Sequence, residues 1–365
     1  MSTMNENSQY LKNLKKCSND QSFHFCEGQL SNSFDLINSL DSSLHWTNLT
    51  SLNLSSNKLR DITLLINAVK LEILNLSNNF LDDISSIISC EKLISLDFSM
   101  NNIHELPELN KLPFLERLNA SHNPLASISG LWGCMSLRCL DLTSCQLSSC
   151  LLTGLNEDEI QLGLIDPLER SNNLSTYLKQ RNLSTVRPTF LGIPHLRILN
   201  LSYNPKISHA ISIQLTSNEW HSIQKALYDK NFTGNQHHSE SSLFNESTKD
   251  LKSNDSSGFG LLPYKIQHLN LQACDIHALD GLTLMKRLHT LNLSQNQIID
   301  HQTLMPLKSL TCLQNLNLKN NPICDQNNYF GKIIFNLKHL KILDDRHVSI
   351  KDKVSDNFDD DDDNY

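Results

Sequence analysis

The segment Leu49-Thr50-Ser51-Leu52-Asn53-Leu54-Ser55-Ser56-Asn57-Lys58-Leu59 carries a spacing of leucines and one asparagine that returns along the chain. Written as LxxLxLxxNxL, it reappears 22 residues later from Leu71 to Leu81. Nine copies begin at Leu49, Leu71, Leu93, Leu115, Leu137, Leu196, Ile266, Leu288 and Leu313. Two of them have Cys145 or Cys274 in place of the asparagine. The five defining positions of the pattern recur in nine copies, which indicates a tandem repeat.

Each copy predicts one short strand followed by a turn. Leu52 and Leu54 alternate with Asn53, as in a strand with one buried face, and equivalent strands of successive repeats can pair in parallel. The asparagine after the strand can bond backbone groups that the turn leaves unpaired. We therefore predict a structural turn ladder of Asn57, Asn79, Asn101, Asn123, Asn204, Asn296 and Asn321. The remainder of a repeat is too short for a long helix, so we expect short helices or 3₁₀ turns on the convex side of a curved parallel sheet.

These residues identify the pattern as the leucine-rich repeat, and the predicted fold is an α/β leucine-rich-repeat solenoid. The segment from Asn321 to Val348 resembles the cap of intracellular leucine-rich-repeat proteins, among them the regulatory subunit of protein phosphatase type 1. Within it, the stretch 337–348 resembles the end of the repeat domain in dynein axonemal assembly factors, although His347 stands where that family has proline. The resemblance implies a role in cilia and axonemal dynein assembly. The phosphatase-regulator role remains an alternative.

The repeat spacing also predicts the organisation of the chain. Residues 1–48 form an N-terminal tail and degenerate cap, and 49–348 form the repeat domain with its C-terminal cap at 321–348. Two breaks in the period predict insertions near 151–190 and 208–262. We expect residues 349–365 to be an acidic, disordered tail.

Composition excludes several classes of protein. Six of the 39 acidic residues are Asp356 and Asp359 to Asp363, and the other 33 nearly balance the 31 lysines and arginines. A general nucleic-acid binder would show an excess of basic residues, so this balance does not favour nucleic-acid binding. The acidic end leaves a nuclear chaperone-like role as a further alternative. The chain has no run of 18 apolar residues and no apolar signal segment at its start, so we expect a cytoplasmic protein without a membrane span.

The sequence contains none of the catalytic signatures we sought. There is no GxxxxGK[ST], HExxH or GxSxG, and the ten cysteines show no zinc-site spacing. We predict a non-enzymatic scaffold, monomeric, with no cofactor, no metal and no small-molecule substrate. Its ligand would be a protein partner.

The predicted binding site is the concave face of the sheet. Most positions there are small asparagines and serines, which are typical of this repeat. Larger side chains depart from that background, and such groups supply most of the energy in protein interfaces. The candidate partner-binding residues are Ile73, Met100, Arg117, His122, Ile198 and Tyr203.

Overall fold

The computed structural model describes residues 47, 49–148, 193–208, 211, 265–283 and 285–354. The chain divides into two compact units, unit 1 over Met1–Gln146 and unit 2 over Leu147–Tyr365. Residues 1–46, the insertion near 151–190, nearly all of the insertion at 208–262 and the chain from 355 onward lie outside the described residues. The predicted boundaries of the cap, insertions and repeat domain therefore stay predictions.

Unit 1 contains a ladder of five three-residue strands. They are β1 (Ser51–Asn53), β2 (Ile73–Asn75), β3 (Ser95–Asp97), β4 (Arg117–Asn119) and β5 (Cys139–Asp141). Each strand pairs in parallel with the next, so the central leucines Leu52, Leu74, Leu96, Leu118 and Leu140 lie directly opposite one another. These leucines are all buried, which confirms the predicted strand register and its apolar face.

Behind the strands, each of the first four repeats of unit 1 folds into a 3₁₀ turn, as predicted. The turns are Thr63–Asn67, Ser85–Ser89, Leu109–Lys111 and Ser129–Leu131. Each turn buries a leucine or isoleucine against its neighbours: Leu65, Ile87, Leu109 and Leu131. Asp61 and Asp83 start the first two turns by accepting the backbone N–H of the residue two positions later. With one buried apolar side chain per turn, no repeat has a core of its own, and stability depends on stacking.

Unit 2 continues the same construction. Its strands are β6 (Ile198–Asn200), β7 (His268–Asn270), β8 (Thr290–Asn292), β9 (Asn315–Asn317), β10 (Ile342–Leu343) and β11 (Arg346–His347). Strands β6 to β10 pair in parallel, and β11 turns back antiparallel to β10. Among the described residues of unit 2, the 3₁₀ turns Asp280–Leu282, Met305–Ser309 and Pro322–Asp325 lie behind the strands.

The end of unit 2 is closed by two helices, α1 (Tyr329–Asn336) and α2 (Ile350–Val354). Helix α1 buries Ile333 and Ile334. Asp344 ties the cap to the last repeat, since its Oδ1 accepts the Leu318 N–H at 2.6 Å and its Oδ2 accepts the Tyr329 hydroxyl at 2.7 Å. Like the ladder asparagines, this side chain accepts a main-chain N–H of the preceding repeat, but a carboxylate cannot also donate to carbonyls as their amides do.

The prediction that a disordered tail begins at residue 349 is wrong for its first residues, because Ile350–Val354 form α2. Ser349 and Asp352 cap this helix reciprocally. The Ser349 N–H donates to Asp352 Oδ2 at 2.7 Å, and the Asp352 N–H donates to Ser349 Oγ at 3.2 Å. Arg346 also donates to Asp352 Oδ1 at 3.1 Å, which holds the helix against the cap.

Candidate protein-binding face

The turn asparagines join neighbouring repeats through their side-chain amides. Asn123 is buried, and its Oδ1 accepts the Ile103 N–H of the preceding repeat at 3.0 Å. Its Nδ2 donates to Phe98 O of the preceding repeat at 3.1 Å, and to Ala120 O and Ser121 O of its own repeat at 3.0 and 3.2 Å. The same bonding to both repeats is made by Asn79, Asn101, Asn296 and Asn321.

The two remaining members of the ladder also bond the backbone. Asn57 donates to Leu54 O at 2.8 Å, and Asn204 donates to Leu201 O at 2.8 Å and accepts the Leu147 N–H at 3.0 Å. The ladder amides are thus occupied by main-chain groups of their own and neighbouring repeats.

Cysteine replaces asparagine at two steps of the ladder, and the bonding adjusts locally. The Cys145 thiol donates to Ala120 O at 3.2 Å, but the Leu125 N–H donates to Asn123 O at 2.9 Å instead of crossing to the next repeat. Burial raises the pKa of both Cys145 and Cys274 to about 12. Since the reactive species is the thiolate, these protonated thiols are poor nucleophiles.

The strand face of unit 1 is the side of β1–β5 opposite the buried leucines, together with the turn residues that follow each strand. Its strand column precedes the central leucines and consists of Ser51, Ile73, Ser95, Arg117 and Cys139. Its turn column precedes the ladder positions and consists of Ser56, Asn78, Met100, His122 and Ser144. Ile73, Met100, Arg117 and His122, which the sequence singled out, therefore lie on one face, at its two borders.

Between these borders lies a floor of short polar side chains. At each step an Asn or Asp accepts the backbone N–H two residues later, as Asp97 Oδ1 does from Ser99 at 2.9 Å. Asp97 also accepts the Ser99 hydroxyl at 2.7 Å and Asn119 Nδ2 at 3.1 Å. Because Ser99 and Ser121 are buried, the floor is low, and the larger residues stand above it on both sides. The face therefore has the form of a shallow trough.

Met100 and His122 have left-handed backbone conformations, with φ of 56° at both residues. The corresponding position in every described repeat is left-handed, and Ser or Asn occupies it at 56, 78 and 144. A methionine there costs more backbone strain than an asparagine. Its side chain is also 55% exposed, so Met100 gains little from burial in the unit itself. The left-handed conformation belongs to the repeat, and what distinguishes Met100 is the large exposed side chain that it carries there.

Arg117 provides the one cation of the strand column. It is exposed, and among the described residues no carboxylate lies within ion-pair distance of its guanidinium. Cys139 is its register partner on β5. Burial raises the pKa of the Cys139 thiol, an effect that the nearby Arg117 charge opposes.

The other two candidates lie in unit 2. Ile198 occupies the strand column of β6, and Tyr203 occupies the turn column after it, with φ of 59°. Both are exposed, and the Tyr203 hydroxyl accepts a hydrogen bond from Gln272 Nε2 at 3.0 Å. Both belong to unit 2, whereas the other four candidates belong to unit 1.

Sequence reasoning missed several exposed apolar residues on other surfaces. Phe80 takes the position held by Lys58 and Asn102 in adjacent repeats, and Arg60 lies 5.7 Å from its ring centroid. Its place directly after a ladder asparagine could have signalled its exposure. Others are Ile66, Phe114, Ile299, Met305 and Phe335.

The described residues offer no group of three or more His, Cys, Asp or Glu side chains that could hold a metal ion. Likewise, no helix in that part of the chain is both long enough and apolar enough to cross a bilayer. What the described side chains supply is contact surface: an exposed arginine, a histidine, and apolar groups around a polar floor.

Leucine-rich-repeat family profiles match residues 288–361, 70–90, 91–131 as two copies, and 45–62, 133–149 and 192–208. The repeats, the asparagine ladder and these matches together define a leucine-rich-repeat protein, a class that generally binds protein partners.

Known proteins resemble the chain in sequence over one segment and in structure over most of its length. A 69-residue segment is 44% identical to dynein axonemal assembly factor 1 of Mus musculus and of Homo sapiens, covering 19% of this chain. The match spans only 11% and 10% of those two relatives. Among solved structures, a leucine-rich-repeat protein of Leptospira interrogans aligns over 81% of this chain and 60% of its own, at 19% identity and a TM-score of 0.45. Internalin C2 of Listeria monocytogenes aligns over 82% of this chain and 81% of its own, at 18% identity and a TM-score of 0.42.

Proposed function

We propose that this protein is a non-enzymatic scaffold in axonemal dynein assembly. The observation that carries the proposal is the 44% identity to dynein axonemal assembly factor 1 over 69 residues. The resemblance of the cap stretch 337–348 to the same family supports it. On this proposal the chain acts as a monomer in the cytoplasm or in the cilium, and needs no cofactor.

The partner binds, on this proposal, in the trough of the strand face of unit 1. Arg117 supplies a charge for a carboxylate of the partner, and Met100, Ile73 and His122 supply contact area at the borders. The floor asparagines and aspartates are occupied by their own backbone, so they shape the surface more than they bind. Ile198 and Tyr203 of unit 2 are candidates for a further contact.

Affinity purification of the tagged chain from ciliated cells, followed by mass spectrometry, tests the proposed role. We expect axonemal dynein chains or their assembly chaperones to co-purify. Recovery of a phosphatase catalytic subunit without dyneins would favour the regulatory-subunit alternative and contradict the proposal. Loss of partners on removal of residues 355–365 alone would favour the chaperone-like alternative.

The same purification tests the face. The Arg117→Ala chain should recover the partner about 30-fold less well, because an interface anchor contributes about 2 kcal/mol. Lys111→Ala is the matched control, since Lys111 is an exposed cation on the 3₁₀ turn behind the strands. Equal recovery with Arg117→Ala and Lys111→Ala would place the partner elsewhere.

A further inference from the structure

A groove behind the strands of unit 2 has no role in the proposed function. Its volume is 340 Å³, at the lower end of cavities that hold ligands. Leu307, Leu310, Leu313 and Leu337 form its buried floor, and Phe335 forms a wall that is 52% exposed. A groove with an apolar floor next to a half-exposed aromatic ring is suited to one further aromatic side chain.

The rim of the groove is basic. Lys308, Lys338 and His339 are among the lining residues, and no aspartate or glutamate is among those described there. The Lys338 ammonium lies 5.5 Å from the centroid of the Phe335 ring. The occupant that this chemistry fits is therefore a segment that combines an aromatic residue with several carboxylates.

Such a segment follows directly in the chain. The residues after α2 include Asp356, Phe358 and the run Asp359 to Asp363. The Lys353 ammonium, in the last turn of α2, donates to Lys338 O at 3.0 Å, so the helix ends at the rim of the groove. Phe358 is four residues beyond Val354, a reach of up to about 14 Å for extended chain.

We propose that residues 355–365 bind in this groove of the same molecule, with Phe358 against Phe335 and the aspartates against Lys308 and Lys338. Tethering makes this feasible for a weak contact, because a short linker gives an effective concentration on the order of mM. The inference is independent of the partner-binding face, which lies on unit 1.

Zero-length carbodiimide cross-linking of the full chain at low micromolar concentration tests the proposal. The reagent joins a carboxylate to an amine only when the two are in contact. We expect links from the aspartates of 355–365 to Lys308 and Lys338, with a yield that does not change on tenfold dilution. A yield that falls on dilution would assign the groove to a second copy of the chain, and an absence of these links would also overturn the proposal.

Two variants test whether Phe358 binds in the groove or whether the aspartates are only attracted to the lysines. Phe358→Ser keeps every aspartate, and Phe335→Ser changes only a half-exposed wall residue. Each should lower the link yield about tenfold, because burial of a phenylalanine ring contributes at least about 1.4 kcal/mol. Phe114→Ser, at a similarly exposed phenylalanine of unit 1, is the matched control and should change nothing. Links that persist at full yield in Phe358→Ser would contradict the proposal.

Discussion

At the scale of single residues, the ladder asparagines are the most demanding positions of the fold. Each buried amide serves several main-chain groups that water does not reach. The sequence predicted these positions, because the asparagine returns at a fixed place after each strand. The conformation of Met100 was not predictable in the same way, since only the backbone shows that a large side chain occupies a left-handed position.

Replacing a ladder asparagine should destabilise unit 1 strongly. Asn123→Ala leaves the Ile103 N–H and the Phe98 carbonyl without this partner, and we expect the free energy of unfolding to fall by about 2–4 kcal/mol. Urea denaturation followed by circular dichroism measures this. Asn102 is exposed and lies outside the ladder, directly after Asn101. The free energy of unfolding of Asn102→Ala should stay within about 0.5 kcal/mol of that of the parent. A similar loss from both variants would show that the ladder bonds are not the cause.

Met100 should show the opposite effect on stability. Asparagine tolerates the left-handed conformation better than methionine does, and Asn78 already occupies the equivalent position of the preceding repeat. Met100→Asn therefore removes backbone strain. We expect the free energy of unfolding to rise by about 0.5–1 kcal/mol while partner recovery falls. Met305→Asn, at an exposed methionine in a 3₁₀ turn of unit 2, should bring no such gain. A loss of stability in Met100→Asn would mean that the methionine packs usefully in the free protein.

At the scale of elements, strands and turns follow from the repeat, and the departures have local causes. The alternation Leu-x-Leu, with Phe98 or Ala120 as the second apolar residue in two repeats, fixes the buried face of β1–β9. The short connection behind the strands permits only 3₁₀ turns in most repeats. Helix α2 was missed because its capping pair, Ser349 and Asp352, lies in a stretch read as the start of an acidic tail. The sequence predicted the small polar residues of the trough but not its depth, because the depth depends on how far Ser99 and Ser121 are buried.

One turn is packed too tightly for any side chain. A Cβ at Gly130 would lie 2.1 Å from Pro107 O and 2.5 Å from Leu106 O, both main-chain atoms of the preceding repeat. We expect Gly130→Ala to lower the free energy of unfolding by about 1–3 kcal/mol, because the neighbouring turn must move. Ser129→Ala, on the exposed side of the same turn, is the control. Thermal melting of the two variants compares them, and equal midpoints would contradict the close approach.

At the scale of the whole molecule, the four buried thiols among the described residues should make the protein less stable at alkaline pH. Burial raises the pKa of Cys90 to about 11 and of Cys134, Cys145 and Cys274 to about 12. The unfolded chain ionises near the ordinary pKa of 9.0. The folded state therefore keeps its protons longer, and the stabilisation is complete below pH 9 and is lost as pH rises toward 12.

We expect each thiol to account for a loss of about 1.4 kcal/mol between pH 8 and pH 10. Urea unfolding at the two pH values measures the total. In Cys134→Ala the loss should shrink by about that amount, because one titrating group is removed. Cys312→Ala, at a half-buried position, controls for cysteine removal itself. An undiminished loss in Cys134→Ala would show that this thiol does not contribute.

The fixed five-residue step from each central leucine to its ladder position also bears on how such a chain can change in evolution. That step never varies, from Leu52 and Asn57 to Leu316 and Asn321. The interval between ladder positions does vary: it is 22 residues in most repeats, 25 between Asn296 and Asn321, and far longer at the two insertions. Duplication or deletion of one whole repeat would leave every ladder amide opposite main-chain groups in the same geometry. Gain or loss of a repeat therefore lengthens or shortens the strand face by about 4.8 Å. Insertions of single residues are tolerated only behind the strands.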